Sequence, residues 1–102
     1  MVIGFPAITG VPHNCASCAQ IYMTFDTLTA TGSASLEINV KQGFTTILKT
    51  SGTATIAANE IVTVTASGFA FSSRAVAGDA TIQASVSNNG TTIRSSAPIV
   101  LQ

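Results

Sequence analysis

The chain of 102 residues, with a mass of 10.3 kDa, is long enough for one domain with its own core and short for two. Only 8% of the residues are charged, and the formal net charge is +0. Four scattered cations cannot form the basic surface that nucleic acids or anionic membranes require, and no apolar run approaches the ~18 residues of a transmembrane helix. We therefore expect no nucleic-acid partner and no membrane insertion.

Short hydroxyl side chains supply the polarity that charged residues usually supply, with 15 Thr and 11 Ser in the chain. Residues that favour strands (Val, Ile, Thr, Tyr and Phe) outnumber those that favour helices. This composition predicts an all-β domain. A net charge near zero also favours association, so we expect the protein to pack against copies of itself or against another protein surface.

The first 19 residues differ from the rest of the chain. They contain two prolines, both cysteines and no Asp, Glu, Lys or Arg, and their apolar residues show no regular period. Because proline confines a stretch to sheet edges and extended segments, we predict an extended N-terminal arm over residues 1–19 and a folded body over residues 20–102. We expect the arm to contact an adjacent subunit or a capsid-like surface through main-chain hydrogen bonds and apolar burial. Its predicted interface residues are Val2, Ile3, Phe5, Ile8 and Val11.

From Gln20 onward, apolar and polar residues alternate, which is typical of half-buried strands. In chain order the pattern predicts strands over residues 21–28, 34–41, 44–50, 52–57, 61–66, 79–87 and 91–102, the last of them bent or bulged near Pro98. Asn89-Gly90 between two alternating runs is a strong hairpin signal. The predicted core residues are Leu36, Ile38, Val40, Val62, Val64, Ile82 and Val86. About seven strands and no helix predict a two-sheet sandwich, with a small barrel as the alternative.

The end of the chain contains the segments Gly78–Val86, Asn89-Gly90-Thr91 and Pro98–Leu101. These segments resemble the last two strands of the immunoglobulin-like domains of bacteriophage virions and bacterial surface proteins. The chain has no tryptophan and no cysteine pair that would span the sheets, and Ile82 stands where antibody domains have a corner tyrosine. The resemblance implies an immunoglobulin-like two-sheet antiparallel sandwich, and those departures separate it from the antibody family.

Cys15 and Cys18, preceded by His13, are the only group of residues whose spacing suggests metal chemistry. Three such ligands could hold zinc, but zinc prefers four, so a complete site would need a ligand from another subunit or from Asp26. Redox motifs follow a strand and begin a helix, and neither pattern is present here. The sequence favours two structural cysteines, free or locally bridged, and leaves a shared metal site and a redox role open. We therefore predict no cofactor and treat His13, Cys15 and Cys18 as weak metal candidates.

The remaining residues give little support for catalysis. The acidic residues occur singly along the chain, no Gly-x-Ser-x-Gly motif is present, and no glycine-rich phosphate loop occurs. Sugar-binding sandwiches usually expose several aromatic side chains, whereas this chain has one tyrosine, Tyr22, and no tryptophan. We therefore predict no enzymatic activity and no catalytic residues.

The sequence favours a structural protein that decorates or builds a virion, such as a phage capsid or tail, or a similar extracellular assembly. An adhesin-like or carbohydrate-binding module is the alternative, and a bound glycan remains open. A secretory signal would begin with a positive segment, but the first cation is Lys41 and Pro6 interrupts the opening apolar run. We therefore expect a virion or extracellular location without a signal peptide in this chain.

Overall fold

The computed structural model describes residues 1–8, 12–14 and 19–102, which form two antiparallel sheets. The strands are β1 (Val2–Ile3), β2 (Ala7–Ile8), β3 (Ala19–Asp26), β4 (Gly32–Gln42), β5 (Thr45–Ile56), β6 (Ile61–Phe69), β7 (Gly78–Asn88) and β8 (Thr91–Leu101). Within these described ranges, no helix has the length and apolar character needed to cross a bilayer. The prediction of an all-β, two-sheet antiparallel sandwich is confirmed.

Sheet I is built around β3. The strand β6 pairs with one side of β3, and both β1 and β2 pair with its other side. Since β1 and β2 follow each other along the same edge, they occupy one strand position, so the eight segments fill seven positions. This agrees with the predicted count of about seven strands.

Sheet II has the strand order β5-β4-β7-β8, and every neighbouring pair is antiparallel. The strands β4 and β7 are eleven residues each, and apolar residues occupy every second position from Ala34 to Val40 and from Ala80 to Val86. One face of these strands points into the protein, and the other carries Ser, Thr and most of the charged residues. Alternation with a period of two thus fixes which face packs on sheet I.

The core lies between the two sheets. Sheet I contributes Ile21, Met23 and Phe25 of β3, all buried. Four of the seven predicted core residues are buried (Ile38, Val40, Ile82 and Val86), and the other three are half-buried and packed against them (Leu36, Val62 and Val64). The core assignment is therefore confirmed, with less complete burial along the edge strand β6 than the sequence suggests.

At one end of the sandwich, Thr27 joins the β3–β4 loop to the β5–β6 loop. Its buried hydroxyl donates a hydrogen bond to the main-chain oxygen of Ala57 at 2.6 Å and accepts one from the Glu60 N–H at 3.0 Å. The Thr27 N–H also donates to the main-chain oxygen of Glu60 at 2.9 Å. A buried hydroxyl with both partners satisfied holds the two loops together.

Two boundary predictions are wrong. Residues 44–50 and 52–57 are not separate strands, because β5 runs without interruption and Gly52 pairs with Leu36 in the ladder. The last strand is not bulged near Pro98, which pairs in register with Thr81. Proline is tolerated there because, among the described residues, β8 has a neighbour only on its β7 side and needs no donor at its outer edge.

The described part of the predicted arm lies along its own chain. Residues 2–3 and 7–8 pair with β3, and the Gly4 N–H donates to the main-chain oxygen of Thr24 at 2.9 Å. Among the described residues these segments pair with a strand on one side only, so main-chain pairing with a neighbouring subunit, as the sequence predicts, would use their outer edge. Residues 9–11 and 15–18 of the arm lie outside the described residues, and Ala19 is the first residue of β3.

Candidate interaction surface

The N-terminal edge of sheet I exposes two of the five apolar residues predicted to form an interface. Val2 is 59% exposed and Phe5 is 78% exposed, whereas Ile3 and Ile8 are half-buried and pack against the core. The fifth residue, Val11, lies outside the described residues. The predicted interface set thus divides into side chains that stabilise the sandwich and side chains that face solvent.

The exposure of Phe5 follows from an irregularity in the pairing of this edge. Ile3 lies opposite Phe25 and Ala7 lies opposite Tyr22, so three residues of the N-terminal segment face two residues of β3. An extra residue in one strand breaks the regular alternation of side chains. Pro6 is buried at this break while the adjacent Phe5 is exposed.

Val2 belongs to a cross-strand row on the outer face of sheet I. It pairs with Asp26, which pairs in turn with Ile61, and Ile61 is also largely exposed. An oxygen of the Asp26 carboxylate accepts a hydrogen bond from the Leu28 N–H at 2.9 Å. Val2, Phe5 and Ile61 are defined here as the N-terminal patch: three exposed apolar residues of sheet I, with Asp26 between Val2 and Ile61 in the cross-strand row.

The opposite end of the sandwich exposes an aromatic residue that the sequence pattern assigns to a strand. Phe44 lies with Gly43 in the turn between β4 and β5, and its side chain is fully exposed, at 107%. Gly43 has a φ of 62°, which glycine adopts without strain. The alternation of apolar and polar residues applies within strands and not at turns, so it does not predict that Phe44 is exposed. We call Gly43 and Phe44 the hairpin tip.

An apolar cleft opens at the side of the sandwich where β5 and β6 are the outermost described strands. Its volume is about 120 Å³, and Glu37 is the only charged residue among those that line it. The apolar lining comes from both sheets: Met23, Leu36, Ile38, Val64 and Ala66. Gly52 lies at the rim of this opening, which we call the lateral cleft.

His13 is hydrogen-bonded to Gln102. Its main-chain N–H donates to the main-chain oxygen of Gln102 at 2.7 Å, and its Nδ1 lies 2.8 Å from the same oxygen. Cys15 and Cys18 lie outside the described residues, and among the residues that are described no group of three or more His, Cys, Asp or Glu side chains is placed to hold a metal. The weak metal assignment therefore stays a prediction.

Tyr22 is the one aromatic side chain on the outer face of β3. It is nearly half exposed beside a shallow depression lined by Gln20, Thr65 and Ser67. A single aromatic ring with hydroxyl and amide neighbours offers one stacking surface.

No protein-family model matches this chain, and no curated protein matches it.

Proposed function

We propose that this chain is a non-enzymatic structural protein that assembles into, or decorates, a virion or a similar extracellular assembly. The observation that carries the proposal is the N-terminal patch, in which Val2, Phe5 and Ile61 are all more than half exposed. Exposed apolar side chains on one surface mark interaction sites, and a surface with so few charges does not repel copies or a neutral partner.

The proposed contact uses the side chains of Val2 and Phe5, which are exposed while residues 2–3 and 7–8 remain paired with β3. Among the described residues no strand pairs with the outer edge of this segment, so main-chain pairing with a neighbour can add to the same contact. The partner is a copy of this chain or a capsid-like protein surface. Burial of a large apolar side chain contributes about 1.5–3 kcal/mol, so Val2 and Phe5 would each strengthen the contact of a copy with such a surface.

The test is retention of the chain in its native assembly after substitution of the patch. The double variant Val2→Ser/Phe5→Ser is expected to fold as the parent does and to be lost from the assembly during purification. Val100→Ser is the matched control, because Val100 is 68% exposed on the edge strand β8 of the other sheet. Equal retention of the double variant and the control would contradict the proposed contact.

A second candidate function is carbohydrate binding at Tyr22. Its ring is nearly half exposed beside Thr65, Gln20 and Ser67, which offers stacking and hydrogen-bonding groups on one face. Titration of the chain with an array of glycans, compared with Tyr22→Ala, distinguishes this function from assembly. Saturable binding that Tyr22→Ala abolishes would favour it over the structural role.

A further inference from the structure

The edge strand β6 has a row of main-chain groups that pair with no described strand. One side of β6 pairs with β3, and next to this ladder the Thr27 N–H donates to the main-chain oxygen of Glu60 at 2.9 Å. In an antiparallel ladder the main-chain groups of successive residues point alternately toward the partner strand and away from it. Because Glu60 points toward the β3 side, every second residue of Ile61–Ser67, beginning with Ile61, directs its N–H and C=O groups toward the open side.

The other described edges of the two sheets carry features that oppose pairing with another chain. Natural sheets protect their edges with proline, charged side chains or bulges. Strand β8 has Arg94 and Pro98, and β5 has the exposed Lys49 and a register shift in its pairing with β4. The N-terminal edge is interrupted at Pro6, between two short strands. By contrast, Ile61–Ser67 contains no proline and no charged residue, and its register with β3 is regular.

The sequence of β6 is self-complementary in an antiparallel arrangement. When Val64 lies opposite Val64 of a second copy, Thr63 lies opposite Thr65 and Val62 lies opposite Ala66. The exposed threonines then meet each other on one face of the sheet, and the half-buried apolar side chains meet on the other face. Cross-strand Thr–Thr pairs stabilise a sheet, and matching faces keep apolar side chains on the core side.

The same register satisfies the open main-chain groups of β6. Two opposite residues whose main-chain groups point toward each other's strand exchange two hydrogen bonds, and Thr63 and Thr65 form such pairs in this register. Val64 and Ala66, which line the lateral cleft, come to lie beside the apolar side chains of the second copy. Glu60 is the charged residue nearest the segment, and in this register it meets no acidic residue of the second copy.

We propose that β6 of one copy of this chain pairs antiparallel with β6 of a second copy, about a two-fold axis at Val64, so that their two sheets I form one continuous sheet. The inference rests on the proposed function in one respect, that the protein acts by assembly. A two-fold contact uses the same surface of both copies and closes on itself. Because β6 and the N-terminal segment lie on opposite sides of β3, Val2 and Phe5 stay available to a further partner in this dimer.

The experiment measures self-association of the purified full chain by sedimentation velocity up to millimolar concentration. In Thr63→Lys/Thr65→Lys, lysines face each other at both central pairs, because position 63 of each copy lies opposite position 65 of the other. Like charges directly opposite each other destabilise a sheet, and both threonines are exposed in the single chain. The matched control is Thr63→Lys/Thr65→Glu, which changes the same positions but places opposite charges in each pair.

Thr63→Lys/Thr65→Lys is expected to lower the association constant by about tenfold or more. Thr63→Lys/Thr65→Glu is expected to associate at least as tightly as the parent. Mixing the double-lysine variant with Thr63→Glu/Thr65→Glu is expected to restore association, in a dimer that contains one copy of each variant. Circular dichroism and thermal melting of each variant alone check that the fold is retained.

A parent chain that stays monomeric at every concentration would overturn this inference and leave decoration of a different protein surface intact. Equal weakening of association in Thr63→Lys/Thr65→Lys and Thr63→Lys/Thr65→Glu would overturn the proposed pairing, because only the first variant places like charges opposite each other. Association that is unchanged in Thr63→Lys/Thr65→Lys but lost in Val2→Ser/Phe5→Ser would also overturn it, while supporting the proposed function.

Discussion

Asn89 and Gly90 have φ values of 48° and 81° and together form the two-residue turn that joins β7 to β8. Positive φ at both central positions gives the turn a twist that matches the flanking strands. An Asn-Gly pair adopts this geometry with little strain, which explains why the Asn89-Gly90 dipeptide is enough to predict the hairpin.

Gly90→Ala is expected to lower the free energy of unfolding by about 1 kcal/mol, because a Cβ is disfavoured at positive φ. Gly52→Ala is the control, since Gly52 lies in β5 without a positive φ and a Cβ there meets no atom within 4 Å. Urea unfolding monitored by circular dichroism gives both values. If Gly52→Ala lowers the free energy of unfolding as much as Gly90→Ala does, the positive φ of Gly90 is not the cause of the destabilisation.

The cysteines are expected to be dispensable for the sandwich. The described residues already form a core and two sheets, and His13 is bonded to Gln102. Cys15→Ser/Cys18→Ser is therefore expected to leave the melting temperature within a few degrees of the parent, measured by differential scanning calorimetry. Stoichiometric zinc by elemental analysis, or a drastic fall in melting temperature, would instead support a metal or bridging role.

At the scale of elements, burial differs between a central strand and an edge strand. Val86 of β7 is fully buried, whereas Val64 of β6 is half-buried at the lateral cleft. A charge placed at Val64 keeps part of its contact with water, and a charge placed at Val86 loses nearly all of it.

Val86→Asp is accordingly expected to prevent folding, and Val64→Asp is expected to destabilise the domain without abolishing its structure. Far-ultraviolet circular dichroism and thermal melting distinguish the two outcomes. If Val64→Asp melts within a few degrees of the parent, the core assignment of β6 is wrong.

The alternation of apolar and polar residues predicts the central strands well because one face of each strand packs in the core and the other faces solvent. β4 and β7 lie between other strands, so apolar and polar positions alternate without exception over most of their length. The edge strands are less predictable: Ser51-Gly52 is typical of a turn, yet both residues lie within β5. Glycine can lie in a strand whose inner face borders a cleft, and local sequence does not report that tertiary setting.

The candidate surfaces are predictable only in part. Apolar content marks Val2 and Phe5 as interface residues, but nothing in the sequence separates them from Ile3 and Ile8, which support the core. The division depends on pairing with β3 and on the irregularity at Pro6. The exposure of Phe44 depends on where the β4–β5 ladder ends, which only the three-dimensional register defines.

On the scale of the whole molecule, the described residues present apolar groups at separate places on the surface. The sandwich measures 40 × 23 × 16 Å, with the N-terminal patch and the hairpin tip toward opposite ends and the lateral cleft on one side. Such a placement allows one chain to contact more than one neighbour. It is consistent with a chain that carries few charges and a net charge of +0.

The measurement that tests the account most directly is the mass of the particle that contains this chain when it is isolated from its natural source. Sedimentation velocity followed by electron microscopy gives both the mass and the form of that particle. We predict a mass far above the 10.3 kDa of one chain and a regular, repeated arrangement of subunits. A native chain that sediments as a free 10.3 kDa protein, with no particle in the micrographs, would contradict the structural role.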